Sequence, residues 1–199
     1  MSIRVSKSEF NLRDKLNELD GRVPYEKMPA GSIIQVKQKV INGTYSESVP
    51  PSSSGPYGNI VDSETISPRF STSKILIMLN LNVGASNDGN LSVTLHRNGD
   101  IISDAIGASS SPKTSVTATD FTSSTSRQTQ IISNFLDSPA STSVQTYAFK
   151  FSVAENGNMT CYLNRDNNFG GSYHTQKPIS VSYTHLRAHE TVLDLVCRL

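Results

Sequence analysis

Few side chains in this sequence could move a proton or act as a nucleophile near neutral pH. Before residue 183 they are His96, His174 and Cys161. His96 lies beside Arg97 in an alternating stretch, and His174 lies in a loop 78 residues further on. Either imidazole could serve as a general base, yet neither has a nucleophile at a recognisable spacing, and ordinary surface positions are expected for both. The nucleophile elbow, the phosphate-binding glycine loop, the H-E-x-x-H zinc helix and the calcium-binding EF-hand loop are all absent from the text. Acidic residues are scattered, and no two of them mark the acid and nucleophile of a glycosidase, although carboxylates remote in sequence could still meet in space. Asn87-Asp88-Gly89 and Asp166-Asn167-Asn168 gather the oxygen donors that calcium takes, but turn formation alone accounts for both. Cys161 and Cys197 form neither a disulfide framework nor a Cys/His metal set. The expectation is a protein that is not an enzyme and needs no metal and no cofactor.

Binding is the better-supported class. Tyr57, Phe169, Tyr173 and His174 are aromatic or polar residues in loop-like text, suited to stacking on a saccharide and hydrogen-bonding its hydroxyls; the plain alternative is that they anchor their loops. With 31 serines, 16 threonines and 15 asparagines, the chain is rich in short side chains that adapt their hydrogen bonds at a recognition surface. A net charge of +1 gives no overall field to hold nucleic acid or an anionic membrane. No apolar run approaches the roughly 20 residues that cross a bilayer. The N-terminal text has no apolar signal-peptide core, so synthesis in the cytoplasm is expected.

Such residues need strands to hold them, because Ser, Thr and Asn disfavour helix interiors. The exception is residues 8 to 20, where Phe10, Leu12, Leu16 and Leu19 fall at helical spacing between a Ser8 cap and a Gly21 stop. This predicts an N-terminal helical segment over residues 1–21. Three turns are marginal alone, so the stripe must pack on its own domain or on other copies of itself. A linker with two prolines follows at 22–31. From 32 to 182 the apolar period is two. Strands are expected at Ile34 to Val40, Glu64 to Phe70, Lys74 to Val83, Leu91 to Leu95, Gln130 to Leu136, Tyr147 to Val153 and Met159 to Leu163, with a last one beginning at Ile179. Asn98-Gly99 before Ile101-Ile102 predicts a type I′ hairpin, and Glu155-Asn-Gly-Asn158 a second one. Residues 46–58, 107–128 and 166–177 read as loops. The fold class is mainly β: an antiparallel jelly-roll sandwich of about eight strands preceded by a short helix.

The text changes at Tyr183. YTHLRAHETVLDLVCRL, 183–199, has no Ser, Gly, Pro or Asn and holds two of the four histidines. It resembles translated adapter or vector sequence, which implies a non-native tail interrupting the last strand. His185, His189 and Cys197 are therefore not taken as a site. The alternative is a C-terminal helix on the stripe from Leu186 to Leu199.

FNLRDKLNELDGRVPYEKMPAGSIIQV at 10–36, SPRFSTSKILIMLNLNV at 67–83, LHRNGDII at 95–102 and FLDSPASTSVQTYAFKF at 135–151 resemble structural proteins of marine tailed phages. In that group a short N-terminal segment precedes a β-domain similar to complement-type and tumour-necrosis-factor-like heads. The resemblance implies a virion structural protein made in the host cytoplasm: a homotrimeric tail-fibre or surface-appendage domain that contacts other virion proteins and host surface glycans. Its alternatives are a capsid decoration protein without ligand and a polysaccharide depolymerase on the same appendage.

Overall fold

The computed structural model describes residues 28–29, 31–51, 58–108, 115–122, 127–153, 158–168 and 179–186. Alternation of apolar and polar residues produces eleven strands in these segments. They are β1 (Ile33–Ile41), β2 (Tyr45–Val49), β3 (Ile60–Ile66), β4 (Lys74–Ala85), β5 (Gly89–Arg97), β6 (Asp100–Ile101), β7 (Ala118–Thr122), β8 (Gln128–Asp137), β9 (Gln145–Val153), β10 (Met159–Leu163) and β11 (Ile179–Leu186). A single 3-10 turn, Ser103–Ala105, is the only helical element among the described residues. Phe10, Leu12, Leu16 and Leu19 lie outside them.

The strands form an antiparallel sandwich of two sheets. In the six-stranded sheet, β4 is central, with β8 along one side and β11 and β10 end to end along the other; β1 continues outward from β11 and β2 from β10. In the five-stranded sheet the order is β3, β9, β5, with β6 and β7 both on the far side of β5. Between the sheets lie Ile75, Ile77, Leu79, Leu81 and Val83 of β4 and Leu91, Val93 and Leu95 of β5. Tyr147, Phe149, Phe151 and Val153 of β9 pack there too, with Met159, Cys161 and Leu163 of β10. Phe149 and Phe151 meet edge to face, ring centroids 6.4 Å apart and planes at 83°, a geometry that favours an aromatic pair by about 1 kcal/mol beyond burial.

The first expected hairpin is present. Arg97 pairs with Asp100, and Asn98 and Gly99 both take positive φ, 54° and 96°, as a type I′ turn requires. The second is corrected: β9 and β10 are strands, but β9 pairs with β3 and β5 while β10 pairs with β2 and β4 in the opposite sheet. Alternation identifies a strand and says nothing about its partner. Two expected loops also hold strands, β2 within 46–58 and β7 within 107–128. Both are five residues long and poor in apolar residues, and each is paired along one side only. The last strand does not stop at Val181. β11 runs to Leu186, with Tyr183 in register with Lys37 on one side and Ile77 on the other.

Candidate functional site

Three features set this sandwich apart: an outer sheet face of apolar residues and amides, two polar seams where the sheets meet, and a tightly packed corner at the end of β10.

The face belongs to the six-stranded sheet. Leu76, Met78, Asn80 and Asn82 of β4 lie in register with Leu136, Asn134, Ile132 and Gln130 of β8, and all point away from the core. On the other flank, through the β11 backbone, Val36 and Gln38 of β1 come into register with Leu76 and Met78, and Val40 lies beyond on the same side of β1. None of these outward positions is charged. Val36 is 61% exposed, Val40 47%, Met78 38%, Ile132 60% and Leu136 45%. Between them stand neutral amides, such as Gln130, whose Nε2 donates to Asn80 Oδ1 at 2.7 Å. Lys74, at the start of β4 on the same side as Leu76, puts a charge at the end of this surface, whose exposed apolar residues and amides otherwise have the composition of an interaction site. Alternation along Lys74 to Val83 leaves Leu76 and Met78 as a second, outward apolar side of β4, and that side is open. The remaining signal was the Ile131-Ile132 doublet, which must put one isoleucine on each face of β8.

Both lateral openings of the sandwich are closed by charge. On one side β1 and β3 are edge strands, and Lys39 Nζ donates to Asp62 Oδ1 at 2.6 Å and Lys37 Nζ to Glu64 Oε1 at 3.4 Å. Glu47 of β2 adds to this seam, accepting from the Asn59 amide at 2.6 Å and its Nδ2 at 2.7 Å. Inward-pointing charges of this kind discourage another chain from adding to the edge. On the opposite side, Asp120 of β7 accepts from the Thr129 hydroxyl of β8. Asp137 at the end of β8 takes two hydrogen bonds from Arg97 Nη1, both 2.7 Å, and one from the Tyr147 hydroxyl at 2.5 Å. Asp137 is buried and Arg97 about one-third exposed. The carboxylate raises the guanidinium pKa further, while burial, and then Asp137, lift the Tyr147 phenol far above its ordinary value. Beside this cluster a cavity of about 230 Å³ opens between the end of β8 and the turn Ser103–Ala105. Residues 97 and 137 are 40 apart, and nothing in the text paired them.

At the corner, Asn164 adopts φ 59° and donates through Nδ2 to the carbonyls of Ile41 at 2.7 Å and Gly43 at 2.9 Å, tying the β1–β2 turn to the end of β10. The Arg165 guanidinium sits 4.2 Å over the Tyr162 ring, and the Tyr162 hydroxyl donates to Asn167 Oδ1 at 2.5 Å. The chain here crosses Gly84 so closely that a Cβ would lie 2.6 Å from the Arg165 carbonyl oxygen.

His96 is not a surface residue. It is buried on the outer face of the five-stranded sheet, with Nε2 3.0 Å from Thr94 Oγ1 and Nδ1 3.3 Å from the Gly99 carbonyl. Burial lowers its pKa. The same cause pushes the Cys161 thiol up to about 12, which leaves it protonated and unreactive. Tyr57, Phe169, Tyr173 and His174 lie outside the described residues. No group of three or more metal-ligating side chains is assembled among the described residues, and no helix there is long and apolar enough to cross a membrane.

No protein-family model matches the chain, and comparison with curated proteins gives no match. Solved structures similar to it include the infectious bursal disease virus Gx strain, with 10% identity and a TM-score of 0.40 over 84% of this chain and 45% of that one. The VP2 subviral particle of infectious bursal disease virus gives 13% identity and a TM-score of 0.38 over 78% of this chain and 38% of that one. The Gt strain gives 12% and 0.37 over the same shares. The chain thus spans less than half the length of the solved chains it matches.

Proposed function

We propose that this protein is a virion structural subunit with a jelly-roll domain, assembling as a homotrimer on a tail fibre or surface appendage and contacting host glycans there. The observation that carries the reading is the outer face of the six-stranded sheet, apolar and amide-bearing with Lys74 at its end. Its mixture of Val, Leu, Ile and Met with Asn and Gln is the composition of a subunit contact, with few charges that would have to be desolvated. The strand order supports the jelly roll: successive long strands alternate between the sheets, as in two intertwined Greek keys. The sequence resemblance to phage structural proteins supports the setting.

The test is the mass of the full chain by light scattering beside its Ile132→Glu variant. A trimer that becomes a monomer in the variant is expected, because three buried carboxylates would each cost several kcal/mol. A wild-type monomer at about 100 μM, a concentration at which subunit contacts of standard size associate, would overturn the reading.

A further inference from the structure

We propose that the cavity between the end of β8 and the β6 hairpin is a binding site for one neutral sugar residue or a polyol of similar size. The inference deepens the glycan contact proposed above and rests on it.

Size sets the first limit. At about 230 Å³ the cavity lies below the roughly 300 Å³ at which sites for drug-sized ligands begin. At about 30 Å³ per water it holds about seven or eight waters, enough room for a ligand of about a dozen heavy atoms, as in a hexose.

Chemistry sets the second. Arg97 gives Nη1 to Asp137 and also hydrogen-bonds the Tyr147 side chain, and about one-third of its side chain is exposed at the cleft. Ser103 and Asp104, both exposed, stand at the mouth. Guanidinium donors, a carboxylate and a hydroxyl in one small cleft are what vicinal hydroxyls need, because each sugar hydroxyl both donates and accepts. Phe135 and Ile101 contribute a small apolar share to a lining that is mostly polar, which suits a ligand covered in hydroxyls.

Charge sets the third. Asp137 neutralises Arg97, and Asp104 adds a negative charge at the mouth, so a carboxylate, sulfate or phosphate ligand is repelled. Leu136 lines both this cleft and the outer sheet face, so a trimer formed through that face would bring the neighbouring subunit to the rim of the cleft.

Ligand-observed NMR on the full chain, with methyl glycosides of glucose, galactose and mannose as neutral probes and N-acetylneuraminic acid and inorganic sulfate as anions, tests the site. At least one neutral glycoside should bind with a Kd of about 1–10 mM, a range ordinary for one sugar residue, and neither anion should bind. Asp104→Ala should weaken binding about tenfold. Ser103→Trp, which fills the mouth from an exposed position, should abolish it with the unfolding temperature unchanged. Binding of an anion in preference, no binding by any neutral probe, or binding that survives Ser103→Trp would overturn the proposal. A glycan array separates this failure from that of the broader reading. Retention by both wild type and Ser103→Trp would remove the cleft and keep the glycan contact, whereas no retention by wild type would remove both.

Discussion

Asp137 shows how much one side chain can hold here. It is the shared acceptor of a guanidinium and a phenol, and it joins the last residue of β8 to β5 and β9 in the opposite sheet. Removing it leaves the half-buried Arg97 and the fully buried Tyr147 without their acceptor, which costs more than the lost bonds themselves. Asp137→Ala should lower stability by about 3 kcal/mol, and Tyr147→Phe by about 1 kcal/mol. Because the groups act as a unit, urea unfolding of the double variant should show less than the sum; full additivity would mean the cluster is not coupled. Little of this was legible beforehand. Alternation does place Tyr147 inward, but a buried acid looks like any other acid until the fold brings its partner to it. The same holds for His96, which in the sequence is one imidazole in an alternating strand and which the fold buries.

Elements explain where that information was carried. The Asn98-Gly99 turn needed only local chemistry, since two adjacent residues tolerant of positive φ define a type I′ turn wherever they fall between strands. Its strand residues 95 to 97 were therefore readable. The β9–β10 connection was not, because four polar residues between two alternating runs suit a hairpin and a crossing between sheets equally well. Gly84 sits between these cases: nothing near it in the sequence suggests a turn, yet the chain after β10 passes directly over it. Gly84→Ala should cost about 2 kcal/mol, since the obstacle is a backbone carbonyl that cannot rotate away. Gly43→Ala, where a Cβ meets nothing within 4 Å, is the control, and equal losses of thermal stability in the two would refute the close crossing.

Across the whole molecule, the buried groups make stability depend on pH on both sides: Tyr147 and Cys161, whose pKa values burial raises, lower it in alkali, and His96 lowers it in acid. His96 binds a proton less readily folded than unfolded, so the unfolded chain takes up more protons as pH falls through about 6.5, and stability drops on the acid side. Glu64 acts with the same sign at lower pH. The Thr65 amide, and less strongly Lys37, hold its carboxyl below the usual range, so its contribution is present above the unfolded pKa and lost as pH falls through the folded one. The unfolding temperature should therefore fall continuously from pH 7.5 to pH 4, and His96→Gln should flatten the upper part of that fall; a midpoint independent of pH between 7.5 and 5.5 would contradict the burial of the imidazole. Period-two alternation and scattered turn residues were enough to establish a β-rich sandwich, because they depend on neighbours a few positions apart. Which strands share a sheet, which face is left open and which charges meet across the seams depend on contacts between residues tens of positions apart. Those contacts form only when two twisted sheets close on one core, and no local pattern encodes them.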